Sequence, residues 1–172
     1  MQFNDIITSQ YFAALEMLRR AIVACPDELW DEPDQANRFW HVAYHALFYT
    51  HLYVQPSEAD FTPWARHRPN LNFMGTLPWP PHDAVEPGVP YTREELLDYL
   101  AVVRAEVRKQ TANLDLNRDD SGFYWLPMGK LELQIYTIRH VQQHAGELCQ
   151  RLQDHDGTEI DWVGIDHEAL NR

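Results

Sequence analysis

Eight of the chain's eleven prolines fall between Gln55 and Tyr91. Proline has no backbone N–H and its ring collides with the preceding helical turn, so helices must stop short of this stretch and resume beyond it. Periodic apolar patterns on either side give four predicted helices. The first runs from about Asn4 to Cys25, with Ile7, Tyr11, Ala14, Leu15, Leu18 and Ile22 at three-and-four spacing, and ends at Pro26-Asp27. The second runs from about Asp34 to Val54 and is apolar on nearly every side, so it is expected to be buried or covered by a second subunit. The third opens on Thr92-Arg93-Glu94-Glu95, a capping box, and continues through Leu96, Tyr99, Leu100, Val103 and Val107 to about Leu114. The fourth follows Pro127 and reaches about Asp154 through Leu131, Ile135, Ile138, Val141, Leu148 and Leu152. The polar tail beyond His155 is expected to pack only through Trp162, Ile165 and Leu170.

These segments describe an all-α chain, and its 172 residues suit a single domain spanning 1–172. The proline-rich gap is long for a connection inside a compact domain, and such loops are often functional. The second helix, 21 residues by this reading, is about 30 Å long. A loop of this length can run back over that distance, which predicts a four-helix bundle with a long crossover, helices two and three lying parallel. Its plainer role is a cover over one end of the bundle.

The formal charge of −12, without a lysine- or arginine-rich block, argues against nucleic-acid and anionic-membrane partners. A small-molecule substrate or another protein suits such a surface better. No apolar run approaches 18 residues and the N-terminus lacks a signal-peptide pattern, so a cytoplasmic protein is expected. Cys25 and Cys149 are expected to be free thiols.

The chemistry-bearing pattern is histidine. His140 and His144 lie four apart on the fourth helix, so their imidazoles stack on one face and can reach one ion. His41 and His45 form a second such pair on helix two, and spacing alone does not separate them as ligands. There is no His-Glu-x-x-His, no Glu-x-x-His, no Cys-x-x-Cys, no phosphate-binding glycine loop and no Gly-x-Ser-x-Gly. A three-histidine site with room for water is left. Glu147, one turn past His144, can orient an imidazole or serve as a base, or simply pair with Arg151. His51 faces away from His45, Tyr49 either lines the pocket or, as a core tyrosine, packs inside, and Arg139 is expected to pair with an acidic neighbour.

The segments from Phe39 to Thr50 (FWHVAYHALFYT) and from Glu132 to Leu148 (ELQIYTIRHVQQHAGEL) resemble helix two and the last helix of the DinB-like superfamily of metal-dependent four-helix proteins. The resemblance extends over about Asn4 to Leu152. It implies an up-down-down-up bundle, often a homodimer, with a divalent metal, zinc or nickel, on His45, His140 and His144. His45 rather than His41 matches the family pattern. Gln143 stands where members often have a histidine, and Glu147 where many have glutamine. The implied activity is thiol-dependent S-transfer, isomerisation or hydrolysis, in which the metal activates a low-molecular-weight thiol or water, with stress detoxification as the corresponding role. A non-catalytic metal-stabilised dimer, acting as sensor or scaffold, is the alternative.

Overall fold

The structure is a computed structural model that describes residues 3–166. Among these residues the regular structure is helical: α1 Phe3–Ala24, the single turn α2 Asp27–Trp30, α3 Phe39–Tyr53, a 3-10 turn at Glu58–Asp60, α4 Arg93–Thr111 and α5 Lys130–Asp156. The four long helices pack side by side. α1 lies against α4 and α5, α3 lies against the same two, and α1 barely touches α3 across the diagonal.

Each helix forms where the apolar pattern and the end signals agree. The predicted stripe on α1, Ile7 to Ile22, is buried along its whole length. α4 begins with the reciprocal capping box: Thr92 Oγ1 accepts from Glu95 N at 3.1 Å, and Thr92 N donates to Glu95 Oε2 at 2.8 Å. Leu96, Tyr99, Leu100, Val103 and Val107 are then carried inward as expected. Asn4 donates to the carbonyls of Thr111 and Leu114, and Arg93 to those of Ile22 and Cys25, so α1 and α4 run in opposite directions. Gln134 near the start of α5 donates to Tyr53 O at the end of α3, and Arg151 near the end of α5 donates to Asn37 O just before α3. These two helices are antiparallel as well.

Several boundaries differ from the sequence reading. Helix two begins at Phe39 rather than near Asp34, and a separate turn, α2, precedes it. Arg38 is extended, with its guanidinium on Asp31 O, and Trp40 Nε1 donates to Asp31 Oδ1. These bonds hold residues 31–38 as a turn. α3 is buried within the chain itself, Trp40, Tyr44 and Leu47 fully so, which accounts for its apolar circumference without a second subunit. On α5, Ile135 is 49% exposed, contrary to expectation. Polar Gln134 and Thr137 point inward instead because their partners are inside: Tyr11 Oη donates to Gln134 Oε1 at 2.8 Å, and Thr137 Oγ1 donates to Leu133 O. In the tail, Trp162 is 72% and Ile165 is 55% exposed, while Val163 is the buried residue, its N–H on Met17 Sδ. Leu170 lies outside the described residues.

The loop between α3 and α4 holds only the 3-10 turn and an isolated bridge between Thr76 and Ala84. It packs along the side of the bundle through aromatic residues. Trp64 stacks on Tyr99 with centroids 4.5 Å apart, His67 stacks on Phe48, and Tyr44 Oη bonds His67 Nδ1 at 2.6 Å. Where α3 meets the loop before α5, Lys130 is fully buried and its ammonium donates to the carbonyls of Gln55, Pro56 and Ser121. Gly122, at φ +84°, is the residue that lets this junction close, since a Cβ there would meet Pro56 O at 2.3 Å. Among the described residues no helix is long and apolar enough to cross a membrane.

Candidate metal centre

Three histidines from two helices meet between α3 and α5. His45 Nε2 is 3.1 Å from His140 Nε2, and His144 Nε2 is 3.2 Å from that same atom. The candidate ligand atoms of all three lie within 4.8 Å of one another, close enough to hold one metal ion. The i, i+4 spacing on α5 brings His140 and His144 together, and the antiparallel packing of α3 delivers His45 opposite them. His41, one turn earlier on α3, is outside the group. Its Nε2 is spent on Leu71 O at 2.7 Å.

The outer nitrogens explain why the rings face one another. A backbone carbonyl can only accept, so the 2.7 Å contact of His45 Nδ1 with Asn72 O places a proton on Nδ1. The neutral ring then turns its Nε2 lone pair toward the other histidines. His144 Nδ1 is likewise 3.1 Å from Glu147 Oε2. The hydrogen bond from His144 is the main cause holding the Glu147 carboxyl below its ordinary range, with the Arg151 charge adding to it. The carboxylate is therefore the acceptor, and His144 Nε2 also presents a lone pair inward. His140 Nδ1 is buried with no partner.

Two lone pairs aimed at the same point, with a third imidazole nitrogen between them, repel unless a cation or a proton sits there. Nitrogens bound at about 2.0–2.1 Å in a tetrahedral arrangement are separated by about 3.3 Å. Two of the three separations, 3.1 and 3.2 Å, are close to that spacing, and all three ligand atoms lie within 4.8 Å of one another, near enough to hold one ion. Burial also keeps the His45 and His140 rings in the ligating, neutral form. It lowers His45 to about 3, aided by the neighbouring His140 and His144, and lowers His140 to about 4.

Glu147 occupies both places its sequence position allowed. One oxygen holds His144, and the other pairs with Arg151, which is itself anchored on Asn37 O at 2.7 Å. The chain Asn37–Arg151–Glu147–His144 fixes one imidazole from outside. Tyr49 lines the group, its ring 4.8 Å from His45 and 5.8 Å from His140, and Tyr136 stacks parallel to His140. His51 is buried on the far side of α3, with Nδ1 near Tyr99 Oη. Asn72 was not foreseen. It holds His45 through its backbone oxygen and Tyr49 Oη through its side-chain amide, and a main-chain acceptor in an irregular loop leaves no mark in residue type. Arg139 departs from expectation: no acidic neighbour pairs with it among the described residues. Compared with protein-family models, with curated proteins and with solved structures, the chain matches none of them.

Proposed function

We propose that this chain is a metal-dependent enzyme of the DinB-like kind, holding a divalent zinc or nickel ion on His45, His140 and His144 and acting on a low-molecular-weight thiol or on water. The observation that carries the reading is the convergence of three imidazoles, with His45 Nε2 and His144 Nε2 at 3.1 and 3.2 Å from His140 Nε2. Such an ion supplies Lewis acidity, which lowers the pKa of a thiol or water reaching its open side. The protein's part is to position the imidazoles. Asn72 O and the Glu147–Arg151 pair set two rings, and the Tyr49 ring packs beside His45.

The open side favours catalysis over a purely structural site. Structural zinc is closed by four protein ligands, whereas catalytic zinc keeps three and an open position. Among the described residues no fourth histidine, cysteine or carboxylate joins the group. His41 and Glu147, the two candidates for closing it, are committed to Leu71 O and to His144 with Arg151. In this reading Glu147 is a positioning residue more than a base.

The pairing of helix ends supports an up-down-down-up bundle, in which the proline-rich loop after α3 crosses over to start α4. The same loop walls the histidines through Asn72. The test is a panel of thiols, bacillithiol, mycothiol, glutathione and coenzyme A, offered with model electrophiles to the metal-loaded protein. Turnover that disappears in His140→Ala is the expected result. Inactivity with every thiol, and in hydrolysis, would favour a metal-stabilised scaffold instead.

A further inference from the structure

We propose that Arg139 receives a carboxylate of the small molecule that binds at the histidine cluster, which makes the substrate an organic acid; this rests on the metal reading above. Among the described residues, every other lysine and arginine has a carboxylate, a carbonyl or an aromatic ring against it, as Arg38 has Asp31, Arg66 has Glu95 and Arg118 has Asp120. Arg139 has none, although acidic residues outnumber basic ones 26 to 14 in this chain. It is exposed, and it is adjacent to His140 on α5.

The surroundings agree with an anion. Arg139 and His140 line one surface recess with Tyr136, Ile138, Gln142 and Gln143, and no carboxylate takes part in it. Other recesses do carry acids: Asp119 and Asp120 line one near the start of α5, and Asp60 and Glu106 line the one over His51. The recess over Phe12 also lacks an acid, but its Arg104 and Lys109 already pair with Asp166 and Glu106; beside His140 an anion would meet a cation without an acidic partner and uncharged amides. A guanidinium grips a carboxylate through two parallel N–H bonds. A phosphate is a poorer match, because it calls for more charge or for free backbone N–H groups, and those of mid-helix residues are already used. The aromatic face of Tyr136 and the side chain of Ile138 suit the apolar body between the carboxylate and the end that reaches the metal.

The test uses the full chain loaded with cobalt, whose visible spectrum reports ligands arriving at the ion. Mercaptoacetate and mercaptoethanol are titrated in, two small thiols that differ in the terminal carboxylate. The preference for mercaptoacetate should be about tenfold larger in the wild type than in R139Q, should weaken with salt, and should be partly kept in R139K. Equal preference in wild type and R139Q, with normal cobalt spectra, would overturn this inference and leave the metal reading standing. A wild-type protein that takes up no cobalt would overturn both. If R139Q instead changed only the sedimentation of the protein, Arg139 would be a contact between copies of the chain, and the inference would fall.

Discussion

At the scale of single residues, metal binding depends on what holds each imidazole from behind. His45 leans on a carbonyl and His144 on a carboxylate, and these outer contacts decide which nitrogen faces the centre. Removing such an outer partner from a metal-binding histidine commonly weakens affinity by roughly 10–100-fold. Glu147→Ala is therefore expected to lower metal affinity within that range while leaving the helix content unchanged, measured by competition with a chromophoric chelator. Unaltered affinity would show that the Glu147–His144 contact plays no part in binding. That His140 and His144 share a face was legible in their four-residue spacing, and the structure brings His45 to them. The choice of His45 over His41 was not a matter of spacing, since both sit on one side of α3. Leu71 O decides it, by occupying His41.

At the scale of elements, helix ends marked by side-chain chemistry were readable, and those set by tertiary contacts were not. The capping box of α4 stands where Thr92 and Glu95 placed it. Thr92→Ala removes the acceptor for Glu95 N, so it is expected to cost about 1 kcal/mol, read as a lower denaturation midpoint with an unchanged slope. No loss of stability would mean that α4 is held by packing alone. The start of α3 escaped the sequence reading because the turn before it depends on Asp31, which binds both Arg38 and Trp40 through space. The inward face of α5 was misplaced for a related reason. Gln134 and Thr137 look like surface residues, and only their hydrogen bonds to Tyr11, Tyr53 and Leu133 make burial tolerable.

At the scale of the whole molecule, burying several histidines ties stability to acidity. Burial lowers the pKa of His41, His51 and His67 below the ordinary 6.5. As pH drops through about 6.5 the unfolded chain takes up protons that the folded chain refuses, so stability falls; above that pH the three residues contribute no such dependence. Denaturation midpoints should decline as pH falls below about 6.5. A double variant, His51→Asn with His67→Asn, should decline less, and an equal decline would assign the effect to other groups. The helical class and the long loop followed from where proline falls. That the Gln55–Tyr91 loop would wall a metal pocket is what the enzyme reading expects of the sequence; which atoms meet the histidines could not be read, because Leu71 O and Asn72 O are common to every residue type.

The central claim is that His45, His140 and His144 share one divalent ion, and elemental analysis of purified protein tests it most directly. The wild type should hold about one equivalent of metal per chain, lost in His140→Ala and in His45→Ala but retained in His41→Ala. Equal metal content in wild type and His140→Ala, or none in either after exposure to zinc and nickel, would contradict it.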